Sequence, residues 1–176
     1  MNAYRENLLL LRLCITLNTY TSLMKMVASS IGVALVLIYV VGSGLWVNTG
    51  DGWYRGLNQP AWQPPDFIFG IIWPYNFIVL GFAAVIVSQR LSAVLVSVYL
   101  SVFALSVAAA LTWAYQFYRP HNLEVASIAL TCVAVLTIAL VVIASRASWP
   151  LASALLPYQI WVSIASFLSW TYARLN

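Results

Sequence analysis

Apolar residues run almost unbroken from position 26 to the end of the chain, and the charged ones fall at narrow breaks. Five uncharged runs result: 26–50, 67–89, 91–118, 125–145 and 147–173. About 20 apolar residues, rising about 1.5 Å each, cross a hydrocarbon core of about 30 Å, so every run can span a bilayer. In lipid each backbone N–H needs an internal partner, and these runs lack the alternation of barrel strands. The pattern therefore predicts an all-α membrane protein, a bundle of five transmembrane helices at about 27–47, 67–89, 92–118, 123–145 and 149–173. Residues 1–25 read as a flexible or interfacial extension ahead of the membrane domain at 26–176. Arg12 interrupts their apolar stretch and no cleavage site follows.

The breaks carry their own signals. Helices 2 and 3 join at Arg90, 3 and 4 at Arg119-Pro-His-Asn122, and 4 and 5 at Arg146-Ala-Ser-Trp-Pro150. Such short links predict antiparallel neighbours in a compact bundle. The first connection is long and polar, from Asn48 to Asp66, with Asp66 expected to cap helix 2. Pro74 and Pro157 lie inside helices 2 and 5, where each removes a backbone bond and predicts a kink. In helix 1, Gly32, Gly42, Ser43 and Gly44 permit close helix approach.

Composition agrees with a lipid-solvated chain: 63% hydrophobic and 7% charged, against roughly 25% charged in a soluble domain. The net charge of +4 is dispersed and forms no basic stripe, so no nucleic-acid partner is expected. Basic residues divide five to three across the membrane with the extension counted and three to three without it. Both orientations stay open. Cys14 and Cys132 stand far apart and read as packing residues rather than metal ligands. No span holds Asp, Glu, Lys, Arg or His, which argues against ion-coupled carriers, proton pumps and voltage sensors. The only lysine, Lys25, lies at a membrane edge, which argues against a retinal Schiff base.

Aromatic residues fill the spans instead: eight Trp, ten Tyr and seven Phe. An interfacial belt accounts for Trp46, Trp53, Trp149, Trp170, Tyr172 and Tyr39. It accounts less well for Trp73, Trp113 and Trp161, which lie deep in their runs. Phe69, Trp73 and Phe77 share one helix face, as do Trp113 with Phe117 and Trp161 with Ala165. Ordinary bundle packing and a ring-lined cavity for a flat apolar ligand both explain these stripes.

Two blocks of sequence bear on that choice. The stretch Trp53-Tyr54-x-x-Leu57-x-x-Pro60-x-Trp62-x-Pro64-Pro65-x-x-x-Phe69-Gly70-x-x-Trp73 resembles the signature of the TspO family, also called translocator protein or peripheral benzodiazepine receptor. So does Leu156-Pro157-Tyr158-x-x-Trp161-Val162-Ser163-x-Ala165, and the likeness extends over about residues 27–176. The resemblance implies five helices, a homodimer, and a pocket inside the bundle covered by the first loop. Its implied ligands are porphyrins and haem, sterols in eukaryotic members, and benzodiazepine-type drugs, with no obligatory cofactor. Carried over position by position, it implies that Tyr54, Trp73, Phe77, Ala110, Trp113, Phe117, Trp161 and Ala165 line the pocket. Light-dependent porphyrin breakdown in some bacterial members would use Trp73 and Trp161. Ala110, Ser169 and Phe77 stand where the family often has Asn, Asn and Tyr, so hydrogen-bonded drugs should be held less well than stacked rings.

The expected lid comprises Arg55, Pro60 and Trp62 of the first loop together with Arg119, whose guanidinium emerges on the same membrane face. Arg55 and Arg119 suit the propionates of a stacked porphyrin, and equally suit lipid headgroups. Leu168, Tyr172 and Arg174 fit the sterol-recognition pattern, which Leu111, Tyr115 and Arg119 match as well. A snorkelling arginine beside an interfacial tyrosine explains the same residues. His121 reads as a solvated loop residue rather than a haem ligand. Function then divides into three readings: a tetrapyrrole receptor or carrier, a light-dependent porphyrin-degrading enzyme, and a sterol-binding translocator or membrane adaptor.

Overall fold

A computed structural model describes the backbone of residues 2–176 and the side chains from Asn18 onward. Among the described residues there are six helices and no strand: α1 (Asn2–Trp46), α2 (Gly52–Gly56), α3 (Asp66–Arg90), α4 (Ala93–Tyr118), α5 (Leu123–Ala147) and α6 (Trp149–Leu175). Five stretches are long and apolar enough to cross a membrane, the first being Asn18–Trp46 within α1. The expected extension at 1–25 falls largely on residues whose side chains lie outside this description.

Chain order is not spatial order. α1 packs between α3 and α4, α4 lies on α5, α5 on α6, and α6 returns to α3, closing a five-membered ring. The tight link at Leu91–Ser92 makes α3 and α4 antiparallel, yet α1 stands largely between them. Glycine decides this. A Cβ on Gly32 would overlap the Cβ of Ala84 on α3, and one on Gly42 would meet the Leu111 side chain on α4 at 2.6 Å. With no side chains at those points, α1 approaches both partners closely enough to wedge between them. Gly44 has nothing near its missing Cβ, so it plays no such part.

Helix ends differ from expectation at one point. Asp66 is the first helical residue of α3 rather than its cap; Pro65 holds the cap position without a side-chain bond. The Asp66 carboxylate still faces the positive end of the helix dipole. Asn122 does cap α5, accepting from the Val125 N–H at 3.2 Å. Both α3 and α6 continue through their internal prolines, Pro74 and Pro157. The Tyr75 hydroxyl, beside Pro74, donates to the Ala154 carbonyl of α6 at 2.9 Å.

Hydroxyls join α5 to α6 along their length. Ser127 bonds Ser169 and Thr131 bonds Ser166, each at 2.9 Å, and the Trp170 indole donates to Thr131 at 3.0 Å. Where water is scarce such paired hydroxyls fix rotation and register between helices.

Candidate functional site

The first loop folds back on the bundle through a helix that periodicity cannot reveal. Asp51 accepts from the Tyr54 N–H at 2.8 Å and so nucleates the single turn Gly52–Gly56. That turn sets Tyr54 over the bundle end, with its ring 5.8 Å from Tyr118, 6.2 Å from Tyr172 and 6.4 Å from Phe117. Trp53 lies edge-on to Phe117 and stacks on His121 at 3.7 Å with ring planes 11° apart. His121 adopts a left-handed backbone, φ 59°, which a non-glycine residue holds only where surrounding contacts impose it. The stacked indole is one such contact. His121 is an exposed loop residue, as expected, and its ring also braces the lid against half-buried Trp53.

The far end of the loop is tied to the carboxy-terminal end of α6. Asn58 donates its backbone N–H to the Asn176 side chain at 2.8 Å and its side-chain amide to the Leu175 carbonyl at 3.2 Å. Asn176 returns a bond to the Asn58 carbonyl at 3.4 Å, and the Tyr172 hydroxyl donates to Gln63. Pro60 is buried, while Trp62 is 48% exposed and Arg55 is exposed. Arg119 donates to the Leu45 carbonyl at 3.3 Å, occupying part of its guanidinium at the end of α1.

Beneath the lid the expected pocket residues separate into two connected tiers. The upper tier gathers Tyr54, Trp113, Phe117, Tyr118 and Tyr172; the Trp113 and Phe117 rings are 5.9 Å apart, and Phe117 meets Tyr172 edge-on at 5.8 Å. The lower tier stacks Trp73 on Phe77 at 5.7 Å, with Tyr39 edge-on to both at 6.0 and 5.1 Å. Trp113 packs against both the upper group and the main core that holds Trp73 and Phe77, while Phe69 packs with the upper group and meets Trp161 edge-on at 4.9 Å. Ala110 is buried, and Ala165 is half-buried against the main core. The indole N–H groups of Trp113 and Trp161 are buried without a partner in the protein. Each is a buried donor that the fold leaves unpaired.

Three belt or sterol assignments are corrected by burial. Tyr39 and Tyr172 are each only 2% exposed and belong to the lower and upper tiers. Leu168 is buried with Tyr172 while Arg174 is exposed, so the sterol-pattern residues do not share a lipid-facing surface. Ser169 is turned to Ser127 of α5 and not into the ring tiers. Tyr39 is within reach of the sequence, since it lies one heptad before Trp46 and three and four residues before the small Gly42 and Ser43. Its facing, however, depends on where α1 wedges.

Comparison with known proteins completes the description. The pattern of the TspO/MBR family matches residues 30–175. The chain is 28% identical over 150 residues to the tryptophan-rich protein TspO of Chlorobaculum tepidum, covering 85% of this chain and 94% of that one. It is 29% identical to the tryptophan-rich sensory protein of Cereibacter sphaeroides, covering 81% and 92%. With the human translocator protein it shares 28% identity over 77% of this chain and 82% of the other. A chain with five apolar spans, a lid over aromatic tiers and this match along most of its length is an integral multi-pass membrane protein belonging to the TspO/MBR family.

Proposed function

We propose that this protein is a membrane receptor or carrier for tetrapyrroles, porphyrin or haem, held in the aromatic interior beneath the first-loop lid. The observation that carries the reading is the pair of ring tiers bridged by Trp113, with the indole N–H groups of Trp113 and Trp161 buried and unpartnered. Large conjugated ligands bind by stacking and desolvation, and such rings supply both. His121 is stacked on Trp53 in the lid and lies in neither ring tier, so haem would be bound through its macrocycle. Relatives named as a sensory protein and as a translocator fit a role in sensing or moving a small molecule. A homodimer through α4 belongs to the same reading.

Titrating purified protein with protoporphyrin and following tryptophan fluorescence tests it. Saturable quenching that weakens in Trp73→Ala and Trp161→Ala is the expected result; quenching that never saturates overturns it. Illuminating the same complex separates binder from enzyme. A stable Soret band marks a receptor or carrier, and its replacement by a new product band marks light-dependent degradation. No activated nucleophile or acid–base pair faces the rings, so any such chemistry would run through the tryptophans themselves.

A further inference from the structure

Asn76 is a polar side chain with no solvent exposure, deep in a span, and neither atom of its carboxamide has a partner in the protein. Leaving an amide donor and acceptor unmet in an apolar interior is costly, and polar groups retained at membrane depth mark functional positions. Nothing in α3 requires it. Its buried neighbours along the helix are the apolar Val79, Leu80 and Ala83.

Its position gives it a context. α3 runs away from the lid, so Asn76 lies about one helical turn deeper than Trp73. α4 and α6 run toward the lid, so Ser106 lies a turn deeper than Ala110, and Tyr158 a turn deeper than Trp161. Tyr158 is within hydrogen-bonding reach of the hydroxyls of Tyr39, Thr137 and Ser106. Tyr39 in turn meets Phe77, the residue next to Asn76. Tyr39, Ser106, Thr137 and Tyr158, from four spans, thus form one polar cluster a turn below the tryptophans, and Asn76 of the fifth span lies a turn below Trp73. The hydroxyls of that cluster satisfy one another, whereas the carboxamide of Asn76 does not join them.

We propose that Asn76 is a specificity-determining residue at the floor of the aromatic site, pairing with a flat conjugated ligand whose deepest edge carries a lactam. A carboxamide offers an N–H donor and a C=O acceptor side by side, and a lactam presents the complementary pair. Two parallel bonds would then satisfy both partners where no water competes. A closed porphyrin has only C–H groups on the edge opposite its propionates and cannot make this pair. An open-chain tetrapyrrole ends in lactams. The inference rests on the tetrapyrrole reading above and names the subclass that the floor selects.

Biliverdin and protoporphyrin form a matched pair of probes, since both carry two propionates and only biliverdin carries lactams. Each is titrated against wild type and Asn76→Leu, whose side chain has the same branching and the same number of heavy atoms. The expected result is about a tenfold or greater loss of biliverdin affinity in Asn76→Leu, with protoporphyrin unchanged within about twofold. Unchanged biliverdin affinity overturns the proposal and assigns the carboxamide to internal water. Equal losses for both ligands overturn it too, as a general loss of the site. Resonance Raman of biliverdin on the wild type provides a reading independent of any variant. The lactam C=O stretch should fall relative to biliverdin in an aprotic solvent, and an unshifted band overturns the pairing. Failure of protoporphyrin to quench wild type would sink the porphyrin reading separately, because biliverdin binding that depends on Asn76 would still stand.

Discussion

Trp73 and Trp161 stand on the neighbouring helices α3 and α6; Trp73 stacks on Phe77, and Trp161 meets the edge of Phe69. Stacking of a base on an aromatic ring is worth about 1–3 kcal/mol, so Trp73→Ala or Trp161→Ala should weaken porphyrin binding roughly tenfold or more in a quenching titration. Trp149 is 75% exposed and touches no tier, so Trp149→Ala should leave the affinity unchanged. Equal losses from all three would mean that the protein, not a site, had been damaged. The two lid arginines now separate as well. Arg119 already donates to Leu45, whereas Arg55 is exposed on the lid helix with no such commitment. Arg55→Gln should therefore reduce protoporphyrin affinity more than Arg119→Gln, by a few-fold and most at low salt. Protoporphyrin dimethyl ester, which has no carboxylates, should bind both variants as it binds wild type. A matching loss with the ester would show that the arginines do not read propionates.

Among the elements, the lid is the one whose behaviour follows from few bonds. Its hold on α6 runs through Asn58 with Asn176 and Leu175, and through Gln63 with Tyr172. A hydrogen bond contributes about 0.5–1.5 kcal/mol net, so Asn58→Ala combined with Tyr172→Phe should speed ligand release several-fold in stopped-flow fluorescence. Association should change less, because the rings beneath are untouched. An unchanged release rate would mean that the lid is held mainly by Trp53, His121 and buried Pro60. Helix α1 offers a different test. Gly32→Leu forces a side chain into Ala84 and should destabilise the protein by about 1–3 kcal/mol in detergent unfolding. Gly44→Leu, which meets open space, should be nearly neutral. The small residues of helix 1 were legible in the sequence, but which of them carries the contact was not, since that depends on the rotation of α1 between α3 and α4.

For the whole molecule, the proposed homodimer is tested on the outer face of α4. Ala108 and Thr112 are exposed there and Ala104 is half-buried, spaced four residues apart, so two α4 helices can approach closely. Ala108→Phe should yield monomers by light scattering in detergent; an intact dimer would place the interface elsewhere. The five spans, their short links and the aromatic stripes were all readable beforehand, because lipid imposes a length and an internally bonded backbone on each segment independently of the others. The lid turn escaped because a single Asp51 cap, not a periodic pattern, creates it. Tyr39 and Tyr172 were read as interfacial because a tyrosine near a span end satisfies that rule on its own chain. Only the ring of helices, with α1 wedged at Gly32 and Gly42, turns them inward to join the tiers. Asn76 drew no notice in sequence, where a lone amide among apolar residues has no pattern. What a residue is solvated by along its own helix is local and can be read from the chain. What it faces across the bundle is set by rotation and register between helices, which only close packing of the folded protein decides.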